Sequence, residues 1–188
     1  MSLHHLSRET ALGLDPNFPC PLPIPQEIIE DLEVIEIPYW GLDGERHIGQ
    51  LVIHTSLVVD VRDIFAELLA AHFPIESMVP VAAFGWSDTA SMNANNTSAW
   101  NYRYISGSIP PRLSLHAFGR AIDINPRLNP CISPSAGTCE PVGAQYDPEI
   151  PGTITRNSLI VQLFHQYGWK WGGEWSDPID LHHFQKAV

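Results

Sequence analysis

Residues 114–125 read Ser-Leu-His-Ala-Phe-Gly-Arg-Ala-Ile-Asp-Ile-Asn, with a histidine, His116, seven positions before an aspartate, Asp123. The end of this stretch alternates in polarity, which predicts a strand that buries Ile122 and Ile124 and turns Asp123 toward the opposite face. Imidazole nitrogen and carboxylate oxygen are both common zinc ligands. The stretch therefore predicts part of a metal site at one side of a sheet.

A second cluster lies near the end of the chain, in residues 169–185, Trp-Lys-Trp-Gly-Gly-Glu-Trp-Ser-Asp-Pro-Ile-Asp-Leu-His-His-Phe-Gln. Catalytic zinc usually has three protein ligands and keeps one position open for water. His182 or His183 offers the third ligand. Asp180, three residues before His183, offers a carboxylate that could act as a general base.

Bulk composition excludes several classes of protein. The chain has 188 residues and a formal net charge of -11, and no Lys/Arg cluster appears, which argues against a nucleic-acid partner. Its apolar runs are far shorter than the roughly 20 residues needed to cross a bilayer, so we expect no integral membrane segment. The length favours one main domain.

The cysteines leave two alternatives open. Cys131 and Cys139 lie in one Pro/Ser/Gly-rich loop and could form a disulfide, leaving Cys20 over. Equally, all three could be free thiols.

The first 33 residues form a region of their own in the sequence. Five prolines between positions 16 and 25 predict an extended surface arm, followed by a short helix over Gln26–Leu32. We expect a single domain over residues 34–188. Met1–Leu6 lacks the pattern of a signal peptide, and Met1–Leu3 could be vector-derived.

The remaining elements follow from periodicity and turn chemistry. We predict a hairpin from Val34–Trp40 and Glu45–His54, and a helix over Leu57–Phe73 with Ser56 as its N-cap. We also predict strands at Val79–Phe84, Trp100–Ile105 and His182–Gln185, a long loop over Pro126–Pro151 and a helix over Ser158–Tyr167. Strands and helices do not alternate as in βαβ units, so the predicted fold class is α+β, a mostly antiparallel sheet with helices packed on one face.

The two clusters resemble a known family. Ser114-x-His116-x-x-Gly119-x-Ala121-x-Asp123 is similar to the signature of the zinc D-alanyl-D-alanine peptidases, and the C-terminal Trp-Gly-Gly turn, acidic residue, two spacers and His-Phe resemble their second motif. The likeness covers roughly residues 34–186 and is greatest to the VanY-like branch, where Asn96–Arg103 also has a counterpart. It implies the fold that these enzymes share with the hedgehog signalling domain.

The resemblance also implies roles for individual residues. It makes His116, Asp123 and His183 the ligands of one zinc ion, and Asp180 the general base. His182 and His183 should point to opposite faces of a strand, so only one can join Asp123, and the family spacing favours His183.

Further roles concern the substrate. Arg103 would hold the substrate carbonyl or carboxylate, and Ser114 would contact the substrate or support the ligands. Glu174 is a rival for the general base, and Asp88 and Asn96 could line the cleft. We expect the tryptophans at positions 169, 171 and 175 to serve in core and rim packing.

By resemblance, then, the chain is expected to be a zinc metallopeptidase that hydrolyses peptidoglycan stem peptides as a D-alanyl-D-alanine carboxypeptidase, in the periplasm or outside the cell. One alternative is an endopeptidase that cuts L-Ala-D-Glu bonds, as several phage endolysins do. Another is a non-catalytic zinc-binding interaction module like the hedgehog domain. Retention of Asp180 and Arg103 favours an enzyme.

Overall fold

The computed structural model describes residues 5–187. The predictions for Met1–Leu3 therefore lie outside the described residues. Within residues 5–187, no helix has the length and apolar character needed to cross a bilayer.

The fold is α+β, as predicted. Its helices are α1 (Arg8–Ala11), α2 (Gln26–Glu30), α3 (Val58–Ala70), α4 (Asp88–Asn93) and α5 (Leu159–Gln166). Its strands are β1 (Leu32–Gly41), β2 (Arg46–His54), β3 (Pro74–Ile75), β4 (Ser77–Met78), β5 (Asn96–Thr97), β6 (Ala121–Asp123), β7 (Cys131–Ser133), β8 (Thr138–Glu140), β9 (Lys170–Trp171), β10 (Ile179–Asp180) and β11 (His183–Gln185). Short 3-10 turns cover Thr55–Leu57, Val81–Phe84, Leu115–Phe118 and Gly172–Glu174.

The strands form four small sheets. They have the orders β2-β1-β3, β10-β7-β8, β6-β11-β9 and β4-β5. The pairs β1-β3 and β4-β5 are parallel, and the other pairs are antiparallel. Two of these sheets, β6-β11-β9 and β10-β7-β8, carry Asp123, His183 and Asp180 of the candidate site.

The predicted hairpin and the helix that follows it are both present. β1 and β2 pair from Leu32 opposite His54 to Trp40 opposite Arg46. Helix α3 buries one apolar face against this hairpin in the main core. The N-cap prediction is wrong, because residue 56 lies in the preceding 3-10 turn, where its backbone N–H donates to the His54 ring.

A second apolar cluster attaches the N-terminal segment to the rest of the chain. Ala11 and Leu12 at the end of α1, and Ile29 of α2, pack in it with Trp100 and Ala117. The Trp100 indole N–H donates to the Ala117 carbonyl at 3.2 Å. The segment thus packs against the turn that carries His116.

Two predicted strands are absent. Val79–Phe84 instead contains a 3-10 turn, because Pro80 precedes it and Gly85 ends it in the left-handed conformation. Trp100–Ile105 contributes one isolated bridge, Tyr104 to Leu113. Its ladder cannot lengthen, because the partner segment curls into the 3-10 turn at Leu115–Phe118.

The long loop contains an unpredicted hairpin, β7–β8, and that hairpin resolves the cysteine alternatives. All three cysteines are free. Cys131 lies opposite Glu140, and Cys139 lies opposite Ile132. Because neighbouring strand residues face opposite ways, the two thiols lie on opposite faces of the hairpin and cannot bridge without backbone movement.

Candidate metal centre and cleft

A tight turn places the first candidate ligand. Ser114 caps the 3-10 turn that carries His116, and its hydroxyl accepts from the His116 backbone N–H at 3.3 Å. Gly119 ends the turn with φ of 63°, and a Cβ there would lie 2.7 Å from the His54 backbone nitrogen. Glycine is therefore required at position 119 for two reasons: the backbone is left-handed there, and strand β2 approaches too closely for a side chain.

Two paired strands position the other two candidate ligands, Asp123 and His183. Asp123 on β6 lies directly opposite His183 on β11. The next pair along, Ile122 and Phe184, is fully buried in the core, as is Ile124. This confirms the predicted alternation, which turns Asp123 and His183 together to the other face.

The three side chains converge on one point. His116 Nε2 lies 3.2 Å from Asp123 Oδ2 and 3.2 Å from His183 Nδ1, and Asp123 Oδ1 lies 2.9 Å from His183 Nδ1. Ligands about 2.0–2.1 Å from a tetrahedral zinc ion would be separated by about 3.3 Å. All three residues are buried. The group could hold a metal ion.

The hydrogen bonds behind the rings show that the converging atoms fit a cation. The other nitrogen of His116, Nδ1, lies 2.5 Å from the Ala99 carbonyl, which can only accept. His183 Nε2 lies 3.0 Å from Gln185 Oε1. In the tautomer that donates this N–H backward, each ring directs a lone pair inward. Two lone pairs and a carboxylate then face one another, an arrangement that a metal ion satisfies.

His182 faces a different partner. Its Nδ1 donates to the Asn129 carbonyl at 2.7 Å, and its Nε2 lies 3.0 Å from Asp180 Oδ1 but 3.9 Å from Asp123 Oδ1. Of the two adjacent histidines, His183 is thus the one that joins the candidate metal group.

Electrostatics in this pair favour charged forms of both groups. Burial alone would lower the pKa of His182, but the carboxylates of Asp180 and Asp123 raise it to about 10. Burial alone would raise the pKa of Asp180, but the His182 imidazolium brings it below its ordinary value. Asp180 is therefore ionised at neutral pH, the state a general base needs.

A cleft of about 380 Å³ brings the predicted site residues together. Its lining includes all six of them: Arg103, Ser114, His116, Asp123, Asp180 and His183. Glu174 does not line it and instead pairs with Arg156 and His165 at 3.6 and 3.4 Å. Asn96 is buried and bonded to Val79, outside the cleft lining. Asp88 does line the cleft.

Arg103 lines the cleft and is bridged to helix α4. Its Nη2 lies 3.1 Å from Asp88 Oδ2, and Asp88 Oδ1 accepts from the Asn101 side chain at 3.0 Å. Arg103 Nε is buried without a hydrogen-bond partner among residues 5–187. The guanidinium is therefore held on one side and keeps a donor unused.

Sequence reasoning missed the wall built by the β10-β7-β8 sheet. Asp180, Cys131 and Glu140 stand opposite one another on its three strands, and all three line the cleft. Burial and the charge of Asp180 raise the pKa of the Cys131 thiol, so it stays protonated. Turn residues between residues 131 and 140, Pro134 and Gly137, were the signal that could have predicted this hairpin.

The three tryptophans divide between core and cleft. Trp169 and Trp171 are buried in the main core, as predicted. Trp175 lines the cleft, with its ring centre 5.3 Å from that of His183.

A known protein family matches the part of the chain that contains both sequence motifs. Residues 108–186 match the model of the D-alanyl-D-alanine carboxypeptidase family. No curated protein and no solved structure matches the chain. The matched segment contains His116, Asp123, Asp180 and His183, whereas Arg103 precedes it. The match over residues 108–186 supports the family that the sequence motifs predicted, that of the D-alanyl-D-alanine carboxypeptidases.

Proposed function

We propose that this protein is a zinc metallopeptidase that hydrolyses peptidoglycan stem peptides and releases their terminal D-alanine. The observation that carries the proposal is the convergence of His116, Asp123 and His183 within a family-matched segment, beside Asp180 in one cleft. One zinc ion held by these three residues would polarise the scissile carbonyl and make a water molecule acidic.

Side chains of the cleft would carry out the proton transfers and stabilise the developing negative charge. Asp180 is ionised and takes the proton of the attacking water on its carboxylate, then returns it to the leaving amine. Arg103 donates to the carbonyl oxygen as negative charge develops there. The buried Ser114 hydroxyl supports the turn that fixes His116. Together these groups supply a base, a proton donor and a cationic oxyanion contact.

An L-Ala-D-Glu endopeptidase is the second candidate, because Arg103 is already paired with Asp88. This pairing offsets the charge of Arg103, which suits a neutral internal carbonyl better than a terminal carboxylate. A non-catalytic zinc-binding module is disfavoured, since it would leave the ionised Asp180 and the unused donor of Arg103 in the cleft without a role.

We extend the proposal to the architecture and location. The fold is proposed to be the one that these peptidases share with the hedgehog domain, with residues 34–188 as the peptidase domain and residues 1–33 as an N-terminal arm. A peptidoglycan substrate places the protein in the periplasm or outside the cell.

Metal content and product masses test the proposal together. Elemental analysis should find about one zinc per chain in the parent and in His165→Ala, a control at an exposed histidine outside the cleft, and little in His183→Ala. Mass spectrometry of digested stem peptides should show loss of one D-alanine, whereas cleavage between L-Ala and D-Glu would establish the second candidate. A parent protein that takes up no zinc from excess metal would overturn both.

A further inference from the structure

His182 lies beside Asp180 and has no role yet in the proposed mechanism. His182 occupies the second of the two spacer positions between Asp180 and His183. It is buried, and the three converging donor atoms do not include it. A buried, ionisable side chain with no part in ligation requires another explanation for its place in the cleft.

His182 is fixed from behind by a rigid polar anchor. The carbonyl of Asn129 accepts from His182 Nδ1 at 2.7 Å. The Asn129 side chain is fully buried and donates to the carbonyls of Ile124 and Gly152, while its oxygen accepts from the Ile154 N–H at 2.6 Å. The ring can rotate little without breaking this contact, so its Nε2 is held in one direction.

That direction is toward the carboxylate of Asp180. His182 Nε2 and Asp180 Oδ1 lie 3.0 Å apart. The contact is an ion pair without hydrogen-bond alignment, and Oδ1 is buried with no hydrogen-bond partner among residues 5–187. An unpartnered buried carboxylate oxygen is costly, so a polar ring nitrogen held 3.0 Å away offsets part of that cost.

We propose that His182 is a positioning residue for the general base: the Asn129 carbonyl fixes its ring, and its Nε2 holds the Asp180 carboxylate beside the metal group. The inference rests on the proposed peptidase function only for its kinetic consequence. Without His182, the Asp180 carboxylate would lose the ring nitrogen 3.0 Å from its Oδ1 and would adopt other rotamers.

The first arm of the test is kinetic. Zinc-loaded parent, His182→Leu, His182→Gln and the control His165→Gln are compared on a D-alanine-terminated stem peptide. In His182→Leu we expect kcat to fall about 10- to 100-fold, the usual cost of losing an orienting partner, with KM nearly unchanged and zinc content at the parent level. His182→Gln keeps an N–H donor and should recover part of kcat. Full activity in His182→Leu, or loss of zinc in step with activity, would overturn the inference.

The second arm needs no turnover. In zinc-loaded protein with ¹⁵N-labelled histidines, Asp180→Asn should shift the Nε2 resonance of the His182 ring but leave its Nδ1 resonance in place. If the parent hydrolyses no peptide yet shows this shift, the peptidase proposal fails and the positioning contact stands. If Asp180→Asn leaves the Nε2 resonance unmoved, the positioning contact is wrong whatever the activity.

Discussion

Asp123 and His183 are directly opposite each other across the antiparallel β6–β11 pair, with Oδ1 and Nδ1 2.9 Å apart. Backbone pairing thus fixes two of the three candidate ligands relative to each other before any metal binds. Only His116, on its 3-10 turn, must be brought in by tertiary packing. A site assembled this way depends on the groups that hydrogen-bond to the far side of each ligand ring.

Replacing Gln185 should weaken zinc binding without removing a ligand. Gln185 Oε1 accepts from His183 Nε2 and so keeps the Nδ1 lone pair pointing inward. We expect Gln185→Ala to raise the zinc Kd about 10- to 100-fold. Competition with a chelator of known affinity measures this. Gln162→Ala, on the exposed side of α5, is the matched control and should bind zinc as the parent does.

Replacing Asp180 should separate turnover from metal binding. Asp180 lines the cleft but is not among the converging donors. Loss of a general base usually costs about 10²- to 10⁴-fold, so Asp180→Ala should lose most of kcat while keeping zinc. Asp147→Ala, at an exposed turn, serves as the control. Hydrolysis by Asp180→Ala at the parent rate would assign the base to another residue.

Gly119→Ala should destabilise the fold more than a substitution at a glycine of the same backbone conformation. Gly119 and Gly85 have similar φ values, 63° and 60°. A Cβ added at Gly119 would lie 2.7 Å from the His54 backbone nitrogen, whereas a Cβ added at Gly85 would meet open space. A left-handed non-glycine residue costs about 1–3 kcal/mol, which both variants should show. Urea unfolding should give a larger loss for Gly119→Ala, and equal losses would mean that the close approach carries no cost.

The stability of the protein should carry a pH-dependent contribution from His54. Burial and the neighbouring Arg120 lower the pKa of His54, which stays neutral in the folded state. In the unfolded chain the ring takes up a proton near its ordinary pKa of about 6.5, so protonation favours unfolding as the pH falls below that value.

The measurement compares urea unfolding of the parent and His54→Asn at about pH 7.5 and about pH 5.5, on either side of the unfolded pKa. The parent should lose more free energy of unfolding than the variant over this range. An identical loss in both proteins would show that His54 takes up its proton equally in the folded and unfolded states.

Several parts of the fold were open to prediction because their signals are local. The β1–β2 hairpin and helices α3 and α5 follow from hydrophobic period and turn residues within a few positions. Strand β6 was predictable because Ile122 and Ile124 alternate with Asp123. Predictions failed at Val79–Phe84 and Trp100–Ile105, where apolar runs looked like strands but proline, glycine and a curled partner segment prevented pairing.

By itself the sequence determined the donor types, their spacing and the faces of the strands on which they lie. Only the tertiary structure decided how they work together. The Ala99 carbonyl that orients His116, the Asn129 carbonyl that fixes His182, and the hairpin that sets Cys131 against Asp180 all come from distant parts of the chain. Hydrogen-bond direction and charge pairing depend on atoms that packing brings close together. The periodicity of residues along a strand does not predict those contacts.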